Sequence, residues 1–133
     1  MPHFVRFVRL LTAIVLVAPV SANAATPIGT STTVASFTNP STANQPVEFV
    51  AIVSGLVPSG TVMFADQTTV LCGAAPIASS SGTGLAYCTA NFGEGAHLVT
   101  ASYSGDAENE PSFGCVVQLT GLDPIWMDGF GCL

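Results

Sequence analysis

Three groups of side chains in this 133-residue sequence have types and spacings that could carry chemistry. The first is His97, close in sequence to several carboxylates. An imidazole near acids can serve as a general base or a metal ligand. No Ser-His-Asp or Cys-His pattern converges on His97, however. It opens an apolar stretch beside Gly95. The plainer expectation is a structural histidine whose ring bonds to backbone near a turn. The second group is Asp106, Glu108 and Glu110. Calcium takes six to eight oxygens from such groups, so these three are the calcium candidates. They lack the Asp-x-Asp-x-Asp-Gly regularity of an EF-hand loop, and a solvated acidic turn is the plainer expectation. The third group is the four cysteines, Cys72, Cys88, Cys115 and Cys132. They stand too far apart for the paired Cys-x-x-Cys spacing of zinc or redox sites. An even count favours disulfides where the compartment is oxidising.

The N-terminus points to such a compartment. Arg6 and Arg9 precede an apolar run, Leu10 to Val20, broken only by Thr12 and Pro19. Ser21-Ala22-Asn23-Ala24 then supplies an Ala-x-Ala site. This is the layout of a secretory signal peptide over residues 1–24, with cleavage expected after Ala24. The apolar run is about half of the roughly 20 residues a spanning helix needs, and no later segment can cross a bilayer as a helix. The expected location is therefore secreted: extracellular, periplasmic or on the cell surface.

Cleavage there would remove both arginines. Residues 25–133 hold all 8 acidic residues and no Lys or Arg. Nucleic-acid binding needs clustered cations to displace phosphate counterions, so nucleic acid is excluded as a partner. No cofactor is called for by any motif.

The elements that must position these residues read as strands. From Gly95 to Tyr103 the residues His97, Val99, Ala101 and Tyr103 recur at every second position, which places them on one face. Val47, Phe49, Ala51 and Val53 do the same, opposite Glu48, Val50 and Ile52. Val62 and Phe64 share a side of a third run. Turn signals at Asn39-Pro40-Ser41, Pro58-Ser59-Gly60 and Gly105-Asp106 separate the runs. Short alternating runs between such turns are the mark of an all-β sandwich. The count is about seven, the immunoglobulin-like number. The expected organisation is a sandwich over residues 25–120 followed by a tail, 121–133. The core should gather Phe49, Phe64, Val99 and Tyr103.

In such a sandwich Cys72 and Cys88 would lie on neighbouring strands and could pair, one of the three pairings that four cysteines allow. Cys115 and Cys132 would then pin the tail to the last strand. Val50, Ile52 and Met63 fall on outer strand faces; with Trp126 and Phe130 of the tail they are candidates for an apolar binding patch, or the tail covers them itself.

The run Ser31-Thr32-Thr33-Val34, Asn39-Pro40-Ser41, Gln45-Pro46-Val47 resembles the opening of bacterial Ig-like domains of the group 3 type. Gly60-Thr61-Val62-Met63-Phe64 is similar to their third strand, and Gly95-Ala96-His97 with Ala101-Ser102-Tyr103-Ser104-Gly105-Asp106 to their most recognisable segment. The resemblance implies an immunoglobulin-like antiparallel β-sandwich on an exported or cell-surface protein. It also implies a spacer or an adhesion and binding module with no catalytic residues, and a protein or glycan as the class of partner. Such modules are typically tandem repeats, whereas this sequence carries one copy. The ending Asp123 to Phe130 is similar to an aromatic Asp-Gly-Phe terminus of some exported bacterial proteins, which implies sorting or docking. Two alternatives follow from the first residues considered: a calcium-dependent adhesion module, or a small exported enzyme or inhibitor using His97.

Overall fold

The computed structural model describes residues 13–15, 17 and 25–121. Most of the expected signal peptide lies outside the described residues, as do Trp126, Phe130 and Cys132. Eight strands, not about seven, make up the module. They are β1 (Ser31–Ser36), β2 (Pro46–Ser54), β3 (Thr61–Asp66), β4 (Thr69–Pro76), β5 (Ala78–Ser80), β6 (Thr83–Asn91), β7 (Gly95–Tyr103) and β8 (Ser112–Thr120). They form two four-stranded antiparallel sheets, ordered β1-β2-β6-β5 and β4-β3-β7-β8. The fold is an Ig-like sandwich.

The additional strand comes from the stretch after Cys72, whose small residues read as a loop. A bulge in the β3–β4 ladder lets the chain continue pairing, with Val62 opposite Ala75 and Thr61 opposite Pro76. The chain then changes sheets. Ile77 bonds back to the Gly60 carbonyl at 3.0 Å, and Ala78–Ser80 pairs with β6 in the other sheet. Proline at the end of β4 suits this step, because it offers no ladder donor.

Two-residue periodicity decides what is buried. Phe49 and Phe64 are fully buried, Tyr103 is 1% exposed, and all three join Val47, Val53, Val62 and Val99 in one core between the sheets. Each large apolar side chain so buried contributes roughly 1.5–3 kcal/mol. The β7 stretch lies inside its sheet, flanked by β3 and β8. Gly105 ends it with φ of 80°, and a Cβ there would stand 2.7 Å from the Asn109 carbonyl oxygen. Only glycine takes that conformation and that approach without strain.

The two edges are closed differently. At one, β4 crosses to β5. At the other, β1 of the first sheet lies beside β8 of the second, running parallel to it. Isolated parallel bridges join Ile28 to Asn109 and Ser41 to Thr120. Thr30 Oγ donates to the Glu110 carbonyl at 2.7 Å. Thr32 and Ser112 hydroxyls meet at 2.7 Å, and Ser36 Oγ donates to Gln118 Oε1 at 2.6 Å.

Candidate functional site

At the end of β7 the Asp106 carboxylate is a hub. Oδ2 accepts from Tyr103 OH at 2.8 Å and from both Ser59 N–H, at 2.8 Å, and Ser59 Oγ, at 3.0 Å. Oδ1 accepts from the Glu108 and Asn109 N–H groups at 2.8 and 2.9 Å, the local bonding typical of an aspartate turn. Asn109 Nδ2 adds bonds at 2.9 and 3.0 Å. The backbone donors of Glu108 and Ser59 hold this carboxyl well below the usual carboxylate range. Burial, with Asp106 alongside, pushes the Tyr103 phenol up to about 12. Asn109, 1% exposed, carries the tie onward. Its Oδ1 accepts from Leu56 N–H at 2.6 Å and its Nδ2 donates to the Leu56 carbonyl at 2.9 Å.

Both oxygens of Asp106 are already surrounded by donors, and Glu108 and Glu110 are exposed. Among the described residues no three His, Cys, Asp or Glu side chains are grouped to hold a metal ion. The Asp106 carboxylate shapes the turn and locks it to the loop before β3.

His97 sits at the opposite end of β7. Nδ1 lies 2.7 Å from Asp66 Oδ2 and Nε2 lies 2.9 Å from the Gly93 carbonyl oxygen. The ring also packs on Phe92, with centroids 4.8 Å apart, and Phe92 meets Phe49 edge-on. Both ring nitrogens are thus within hydrogen-bond distance of an oxygen. The acid in contact is Asp66 of β3, not Asp106, Glu108 or Glu110, which lie beyond the far end of the strand. The expected backbone bond near the turn is present, and the carboxylate partner is additional. Through these two contacts the ring ties β3 to the β6–β7 turn.

The apolar patch expected from Val50, Ile52 and Met63 does not exist as one surface. Val50 and Ile52 belong to β2 and Met63 to β3, in different sheets, so their outer faces point away from each other. Val50 is only 7% exposed, seated in a cross-strand row between Ala35 and Tyr87. Met63, 40% exposed, lines a groove of about 240 Å³ with Thr61, Gly73, Ser102, Tyr103 and Ser104. That is below the roughly 300–1,000 Å³ of small-molecule pockets.

Cys72 and Cys88 form a disulfide. They lie on β4 and β6, so the bond crosses between the sheets rather than joining neighbouring strands. Cys115 is also disulfide-bonded; its expected partner, Cys132, lies outside the described residues.

Two side chains that sequence reasoning passed over matter as much. Asn39, read only as a strand breaker, caps the free edge of β8. It donates from Nδ2 to the Val117 carbonyl at 2.7 Å and accepts Leu119 N–H at 3.0 Å, as a paired strand residue would. Gln118, fully buried, donates to the Thr38 carbonyl at 2.9 Å and to Ser41 Oγ at 3.1 Å. An amide in an otherwise apolar strand end was the available signal, because a buried amide must find partners.

Residues 19–120 match the family model for the bacterial Ig-like domain, group 3. The chain belongs to that family. Comparison with curated proteins and with solved structures returns no match. Bacterial Ig-like domains of this group serve in general as structural or surface modules, and the polar ties at both poles of this one are consistent with such service.

Proposed function

We propose that this chain is an exported structural module, non-catalytic, that transmits load between its two ends. The observation that carries this reading is the parallel apposition of β1 and β8. The chain enters beside Asn109 and leaves beside Ser41, at opposite poles. Tension on the ends therefore shears the β1–β8 contacts together instead of opening them one at a time. The inter-sheet disulfide and the bonds of Asp106 and His97 brace the same body. Both disulfide-bonded cysteine sites support an oxidising, extracytoplasmic setting, in keeping with a signal peptide over residues 1–24. Single-molecule pulling tests the reading. Handles at Ala25 and Gly121 should give a high, single unfolding force. Handles at Ala43 and Gly121, both at one pole, should give a lower one. Equal forces in the two geometries would refute it.

The groove at Met63 supports a second reading, a protein or glycan partner. Glycan-array and surface-binding signals that Met63→Asp abolishes would favour it.

A further inference from the structure

The outer face of the second sheet carries no acidic or basic side chain. Alternation in the β3–β7 and β7–β8 ladders turns Met63, Ala65, Leu98, Val117 and Leu119 outward, with hydroxyl residues between them. Along β8 this face is covered unevenly. Leu119 is fully buried, yet it is no part of the core between the sheets. Val117 and Cys115 are half-buried, and Phe113 is 64% exposed. The residues alternating with Leu119, Gln118 and Thr120, are covered from the inner side by the segment from Ser36 to Ser41. Three consecutive buried residues in a strand mean that both faces are covered. Cover on the outer face thus fades from the end where the chain leaves β8 toward Cys115 and beyond. Cys115, at the middle of that face, is disulfide-bonded, and Cys72 and Cys88 are already joined to each other.

We propose that residues 122–133 double back over this face and are latched there by a Cys115–Cys132 disulfide, sealing the half of the sheet nearest Leu119. The latch forms by oxidation of two thiols, releasing two protons and two electrons to the thiol oxidants of an oxidising compartment. The chain is long enough. Thr120 to Cys115 spans about 17 Å of strand, and the dozen residues to Cys132 can reach roughly 40 Å. The segment is also suitable in chemistry, since Ile125, Trp126, Met127 and Phe130 offer apolar surface to an uncharged face. A second copy is a poorer occupant, because residues 25–133 have 8 acids and no Lys or Arg to offset mutual repulsion.

Trp126 is the sole tryptophan and so reports on the segment directly. The oxidised chain, residues 25–133, should show blue-shifted emission that acrylamide quenches poorly. Cys132→Ser should shift it red and raise quenching several-fold, with the far-ultraviolet β-signal retained. Val117→Asp, which places a charge on the covered face and leaves both disulfides intact, should do the same if the cysteine variant fails to fold. Peptic mapping without reduction should recover one intramolecular peptide pair linking Cys115 to Cys132; trypsin has no site in this region. Water-exposed Trp126 emission in the oxidised wild type would overturn the proposal, as would a Cys115–Cys132 link between two chains on a non-reducing gel.

Discussion

Gly114→Ala probes the contact on which the load-bearing reading depends. Gly114 faces inward on β8, opposite Ala101, where β1 passes over it. A Cβ at this position would collide with the Thr32 carbonyl oxygen and stand 2.9 Å from its carbon and 3.2 Å from Thr33 Cα. These are backbone atoms, so no side chain can swing aside. The strands must part by an ångström or more. Overpacking of that kind costs about 1–3 kcal/mol. The parting also stretches the Thr32–Ser112 and Ser36–Gln118 bonds, at 2.7 and 2.6 Å, each worth about 0.5–1.5 kcal/mol net. A total loss of about 3 kcal/mol is expected, which lowers Tm by roughly 12–24 °C in a domain of about 100 residues. The assay is calorimetric melting with disulfides intact, supported by urea melts in which the midpoint falls and the slope holds. Gly93→Ala is the control, because nothing lies within 4 Å of its added Cβ; it should change stability by no more than about 0.5 kcal/mol. If Gly114→Ala melts with the wild type, β1 and β8 are not tightly apposed and the shear argument fails.

Three further outcomes are expected. Replacing both Cys72 and Cys88 by Ala removes a loop constraint across 16 positions worth about 3 kcal/mol; a melt shifted by less than a third of that would mean that the cross-sheet bond does not constrain the unfolded chain. Because hydrogen bonds to the charged form depress the Asp106 carboxyl, its stabilisation is present above the ordinary carboxylate range, near pH 4, and is lost as pH falls through the depressed value. Asp106→Asn should therefore melt lower at pH 7 and show a flatter acid limb, measured as Tm from pH 2 to 7. The Tyr103 phenol, raised to about 12 from about 10, has the opposite sign. Its contribution is whole below about pH 10 and is lost as pH climbs through the raised value. Tyr103→Phe should remove that alkaline fall, and an unchanged alkaline limb would refute the assignment.

The sandwich was legible because burial along β3, β6 and β7 follows alternation. Phe49, Phe64 and Tyr103 could be assigned to one interior from spacing alone, and so could the shared face of His97 with Val99. The stretch after Cys72 was not legible as strand. Glycine, alanine and proline have low strand propensity, and only its ladder with β3 holds it extended. Which strands share a sheet is a long-range property, so the supposed patch of Val50, Ile52 and Met63 joined residues that face opposite ways. The polar ties were half visible. The turn at Asp106 could be located, but its reach to Ser59 and Leu56 requires knowing that two distant loops meet at one pole. Nothing in the local pattern near His97 foretold Asp66, which a neighbouring strand delivers.

The parallel run of β1 beside β8 has a practical consequence for engineering. Folded domains commonly bring their termini close together, which makes circular permutation and insertion into host loops easy. Here the entry near Ile28 and the exit near Gly121 are separated by the stretch of chain from Asn109 to Thr120, about 35 Å if extended. A permutant joining them needs a linker that runs the whole length of the sandwich, and grafting the module into a tight hairpin would pry the host apart. Placed end to end with other units, the same geometry adds its full length to the chain.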